Sequence, residues 1–79
     1  MMRVRELIEA LQKVPQDARV LVRGYEGGYD DIDGGDVGLF ALNVNKEWYY
    51  GNHDAIIDGR DRERYPESIF TYETGVYLR

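Results

Sequence analysis

The chain has no cysteine, and its 79 residues include one histidine, one serine and one tryptophan. Without cysteine there is no disulfide to staple the fold, no thiolate set for zinc and no thiol nucleophile. His53 alone cannot supply the histidine set of a zinc hydrolase, and Ser68, the sole serine, lies in no G-x-S-x-G motif. No apolar run approaches the ~18 residues of a membrane span, and no secretory-leader pattern opens the chain. Together these absences predict a cytoplasmic protein that is not an enzyme and uses no cofactor or metal.

Basic residues are also scarce. Ten Lys and Arg stand against fifteen Asp and Glu, a net charge of −5. Phosphate-backbone affinity comes from Lys and Arg, so direct nucleic-acid binding is not expected. An acidic balance fits solubility or a basic protein partner. The length predicts a single small domain, 1–79, which buries only about 60–65% of its unfolded surface. With no covalent staple, so thin a core points to tidy packing or to self-association.

Residues 3–14, RVRELIEALQKV, carry the clearest pattern that is present. Val4, Leu7, Ile8, Leu11 and Val14 recur at helical spacing on one face, with Arg5, Glu6, Glu9 and Lys13 elsewhere. Pro15 disfavours helical geometry at Val14 and ends the helix there. PQDA (15–18) then reads as a turn and RVLVR (19–23) as a strand. VGLFALNV (37–44) is apolar on both faces, which predicts a central strand. EWYY (47–50) predicts a third strand, with Trp48 and Tyr50 on one side and Tyr49 on the other. AIID (55–58) is too short to assign, and GRDRERYPES (59–68) reads as an exposed, charge-alternating loop. SIFTYETGVYLR (68–79) holds the last strand signal, which Gly75 either divides or marks with a bulge. The expected fold is α+β: one N-terminal helix packed on a small, mostly antiparallel sheet of three to five strands.

The segment GYEGGYDDIDGGD (24–36) has five glycines, two tyrosines, five carboxylates and no basic residue. Its acids do not fit an EF-hand. Counting from Asp31, the sixth position is Asp36 rather than glycine and the twelfth is Leu42 rather than glutamate. A phosphate cradle has the glycines but lacks the P-loop lysine and hydroxyl, and the carboxylates repel an anion. A solvated connection between strands remains, in which Gly24, Gly27, Gly28, Gly34 and Gly35 supply positive φ angles and bends. The competing use is an acidic surface for a protein partner, anchored by Tyr25 and Tyr29 with Glu26, Asp30 and Asp31 around them.

Seven tyrosines and one tryptophan exceed what a core of this size encloses. Either Trp48 and Tyr50 enter the core and Tyr49 sits harmlessly outside, or part of EWYY faces a ligand or another chain. His53, beside Asp54 and close to Tyr49 and Tyr50, is expected to cap a turn rather than to act in acid–base catalysis. In RDRER (60–64) the arginines alternate with Asp61 and Glu63, which cancel most of their field.

VRELIEALQKVPQDARVLVRGYEGGYDDI, joined later by EWYYGNH, resembles a group of small uncharacterised proteins from bacteria and their phages or mobile elements. The resemblance covers residues 4–32 and 47–53 and brings no activity with it. It implies an intracellular, phage- or mobile-element-related accessory protein, with the GYEGGYDD loop and the WYYGNH segment meeting at one end of the sheet. The resulting expectation is a non-enzymatic interaction module that binds another protein or self-assembles. Its surface comprises Tyr25, Glu26, Tyr29, Asp30, Asp31, Trp48, Tyr49, Tyr50 and His53. The alternative is a protein that sequesters a nucleotide-like ligand between Tyr25, Tyr29, Trp48 and Tyr50, with Arg19 or Arg23 reaching its phosphates.

Overall fold

The computed structural model describes residues 1–79. The fold is α+β. Helix α1 spans Val4–Leu11, β1 Leu21–Arg23, β2 Tyr29–Asp31, β3 Gly35–Ala41, β4 Asp54–Ala55, α2 Gly59–Arg64 and β5 Tyr72–Leu78. The five strands form two antiparallel sheets, one of β1 and β2 and one in the order β4-β3-β5. No helix is long and apolar enough to cross a membrane. The chain divides into two compact units, residues 1–34 with 78–79, and residues 35–77.

In the first unit, Glu6 stands in the first turn of α1 and its Oε1 accepts the Arg3 N–H at 3.0 Å. The carboxylate thereby satisfies an amide just ahead of the helix and sits at the positive end of the dipole. The chain tightens after Leu11, where Lys13 N–H donates to the Ala10 carbonyl and Val14 N–H to the Leu11 carbonyl. Gln16 Nε2 donates to both the Leu11 and Val14 carbonyls, at 2.9 and 2.8 Å, which gives partners to the open C-terminal end before Pro15 turns the chain. Leu7 is half-buried and every other α1 side chain is exposed.

The segment 24–36 is not one loop. Tyr29–Asp31 folds back as β2 on β1, with Leu21 opposite Asp31, Val22 opposite Asp30 and Arg23 opposite Tyr29. Five residues, Gly24–Gly28, make the hairpin connection, closed by Gly24 N–H to the Gly28 carbonyl at 3.0 Å. Of the five glycines only Gly27 and Gly28 take positive φ, 129° and 63°. Gly24 is required for a different reason, since a Cβ there would lie 2.5 Å from the Gly27 carbonyl oxygen. The far end of the unit is clasped by Gly34 and Arg79, whose backbones exchange hydrogen bonds at 2.8 and 2.9 Å.

The second unit holds the three buried residues, Ala41, Ile56 and Tyr65, with Leu39, Val44, Phe70 and Tyr72 packed against them. β3 is the central strand, as its two apolar faces predict. β5 runs unbroken through Gly75. Phe40 explains that glycine and Gly38 together, because a Cβ at either would stand 3.1–3.3 Å from its ring. Phe40 in turn meets Tyr77 edge-on, with centroids 6.0 Å apart.

Two further expectations are corrected here. Glu47–Tyr50 is a turn closed by Tyr50 N–H to the Glu47 carbonyl, not a strand. The partner of Phe40 and Ala41 is instead β4, two residues long. Residues 59–64 are a helix rather than a loop. Asp58 caps it by accepting Arg60 N–H at 2.9 Å, and Asp61 reaches back to the N–H groups of Ile57 and Asp58. The caps replace the apolar stripe such a helix lacks, and Arg62 and Arg64 stand favourably in its last turn. Those guanidinium groups lie over the rings of Tyr72 and Tyr65, at 5.7 and 5.4 Å.

Candidate functional site: a braced aromatic loop

Residues 44–52 form a loop whose neck is held by hydrogen bonds. Val44 and Asn45 N–H both donate to the Asn52 carbonyl, at 2.8 and 3.1 Å. Asn45 Nδ2 donates to the Gly51 carbonyl at 2.8 Å and to Asp54 Oδ1 at 3.0 Å. Just outside the neck, Asn43 takes a left-handed φ of 55°, and its N–H donates to His53 Nδ1 at 2.9 Å. His53 therefore caps a turn with an unprotonated Nδ1.

Asp54 connects the loop to the core. Its Oδ2 accepts the Tyr65 hydroxyl, and the Tyr72 hydroxyl donates to the Tyr65 carbonyl. The Tyr65 hydrogen bond, the Asn45 hydrogen bond and the nearby Arg64 charge hold the Asp54 carboxyl below the ordinary 3.8, against a smaller opposing effect of burial. The same hydrogen bond, with burial and the Asp54 charge, pushes the Tyr65 hydroxyl above 10.0. At neutral pH an ionised acceptor faces a protonated donor.

This frame presents Trp48, Tyr49 and Tyr50. Trp48 meets Tyr49 edge-on at 5.6 Å, and Tyr49 meets Tyr50 at 4.9 Å with planes 47° apart. The three rings pack on one another rather than on the core. Trp48 is 91% exposed and its neighbours more than half, which corrects the arrangement with Trp48 and Tyr50 inside.

The remaining predicted residues lie in the other unit. Tyr25 is 94% exposed at the hairpin tip, Glu26 is beside it, and Tyr29, Asp30 and Asp31 form the exposed strand β2. Asp31 pairs with Arg19 at 3.4 Å across open solvent, a contact worth little. A shallow groove of about 490 Å³ runs along Arg19, Val20 and Asp31–Gly34. The sequence grouped the hairpin and WYYGNH as one surface; the chain places them in separate compact units. Asn43, Asn45 and Asp54, which brace the loop, were not singled out beforehand. Their signal was an Asn-x-Asn run before the aromatics and an Asn-His-Asp run after them. Compared with protein-family models, curated proteins and solved structures, the chain matches none.

Proposed function

We propose that this chain is a small non-enzymatic interaction module, phage- or mobile-element-related, that works in the cytoplasm by engaging another protein through exposed aromatic residues. The observation that carries this reading is the braced loop. Large rings left in water are ordinarily mobile, and ordering them on binding costs about 0.5–1.5 kcal/mol per side chain. Here the five neck and cap hydrogen bonds fix the backbone at both ends of the loop, and the ring contacts of Tyr49 with Trp48 and Tyr50 reduce that cost before any partner arrives. Trp and Tyr are also the residues that most often dominate binding energy at protein interfaces. Tyr25 and Tyr29 on the acidic hairpin are a second set of anchors.

Sequestration of a nucleotide-like ligand is supported less well. The rings of Trp48, Tyr49 and Tyr50 stand edge-on or tilted to one another, so they form no parallel slot for a base. Native mass spectrometry of the protein purified gently from its host separates the two readings. A complex heavier by a whole protein, lost in Trp48→Ala, supports the module. Extra mass of a few hundred daltons, with quenched Trp48 fluorescence, supports the ligand reading and sinks the module.

A further inference from the structure

The first unit has an apolar face that nothing in it covers. Val4, Ile8, Leu11 and Val14 on and just after α1 are 45–56% exposed, and no residue of the unit is buried. An isolated helix shorter than ~12–15 residues is marginal in water, and so is an isolated two-stranded hairpin. α1 has eight residues, and β1 and β2 have three each. The unit therefore needs a cover.

We propose that the cover is the same face of a second copy, with two α1 helices packed antiparallel about a two-fold axis near Ile8. Three observations select this occupant. The first is spacing. Val4, Leu7 and Leu11 follow one another by 3 and 4 residues along α1, and Val14 comes three further on, just past its end, the spacing of a seam between helices. The second is charge. A two-fold interface sets residues near its axis against their own copies, so a charge there meets its like. Near the axis the positions flanking this seam are Ile8 and Ala10; Arg3 flanks it only at the helix start, and Arg5, Glu6, Glu9 and Lys13 fall outside it. Of the −5 net charge of the chain this unit carries only −1, six basic against seven acidic residues, so its face adds little local repulsion.

The third is area. Val4, Ile8, Leu11 and Val14 each leave 45–56% of their surface in water, apolar area that a second copy buries toward the ≈800 Å² per partner of a standard interface. Antiparallel packing also sets the positive end of one helix dipole beside the negative end of the other. The aromatic loop takes no part, so the dimer stands independently of the function proposed above.

Sedimentation equilibrium of the full chain over a wide concentration range tests this. The expected result is a monomer–dimer equilibrium with twice the 9.2 kDa chain mass as its upper limit. Ile8→Glu is expected to weaken it at least tenfold and Trp48→Ala to leave it unchanged. The absence of cysteine allows a second measurement that does not depend on a charge being tolerated. Under mild oxidation Ile8→Cys should yield a disulfide-linked dimer, whereas Trp48→Cys at the same concentration should not. A monomer at every concentration overturns the proposal. So does a dimer equally stable in Ile8→Glu, or an Ile8→Cys chain that cross-links no better than Trp48→Cys. Loss of the dimer in Trp48→Ala alone would assign self-association to the aromatic loop and overturn the seam.

Discussion

The two units of this chain are held by different means. Residues 35–77 bury Ala41, Ile56 and Tyr65 and tie β4 to the C-terminal tyrosines through Asp54. Residues 1–34 with 78–79 bury nothing and depend on individual hydrogen bonds: Gln16 on the end of α1, Gly24 to Gly28 at the hairpin, and Gly34 to Arg79. A single intramolecular hydrogen bond contributes only about 0.5–1.5 kcal/mol net. Regular secondary structure with well-closed ends can thus lie at the low-stability end of a protein when apolar burial is missing.

The sharpest way to break the contrast is to empty the buried side. Ile56→Ala is expected to cost about 2–5 kcal/mol, a large part of the roughly 4–12 kcal/mol available to a chain of this length. Leu21→Ala in the half-exposed β1 should cost less than about 1 kcal/mol. Urea unfolding followed by circular dichroism measures both, and equal losses would erase the distinction. Within the first unit, Gly24→Ala drives a methyl to 2.5 Å from the Gly27 carbonyl oxygen and should cost more than about 1 kcal/mol. Gly34→Ala, which meets nothing within 4 Å, should be nearly neutral. Hydrogen exchange at Arg23 and Tyr29 reports whether the hairpin has opened.

Acid and alkali should act on the second unit in opposite protonation steps. Asp54 has a folded pKa below its ordinary 3.8, so its contribution is present above that value and is lost as pH falls through the lower folded pKa. Tyr65 has a folded pKa above 10.0, so its contribution is present below 10.0 and is lost as pH rises through the higher folded pKa. Both contributions are intact at neutral pH. Tyr65→Phe should lower the urea midpoint there and flatten the loss of stability at both extremes; an unchanged pH profile would rule out the pair as its source. A smaller effect than that of Ile56→Ala belongs to His53→Ala, about 0.5–1 kcal/mol for the lost Asn43 cap. Its readout is the chemical shift of the Asn43 amide.

What the sequence disclosed follows the same division between pattern and partner. α1 was legible because its apolar period and Pro15 are local signals. β3 was legible because only a central strand is apolar on both faces. β2 was hidden because Tyr-Asp-Asp has no inward face to declare it, and it pairs without burial. EWYY misled because aromatic β-propensity reflects fit to a half-buried pleated surface, and here the rings found that contact in one another. α2 was missed because its stability comes from Asp58 and Asp61 at its start and from arginines over tyrosine faces. Within the candidate site the sequence pattern left Trp48 and Tyr50 either in the core or facing outward, and the outward arrangement is the one found. The asparagines that brace them were not, since a neck of side-chain-to-backbone bonds depends on where the chain returns.

Phe40, lying against Gly38 and Gly75, has a consequence for how this chain can vary. With the ring in place, neither glycine can gain a methyl unless Phe40 moves by a few tenths of an ångström. With a smaller residue at position 40, both glycines are free to change. The three positions are therefore coupled: Gly38→Ala and Gly75→Ala each act through the Phe40 ring, and their effect should fall after Phe40→Leu. Once the alanines are established, return to phenylalanine is closed, so the order of substitution decides which descendants the sheet can have.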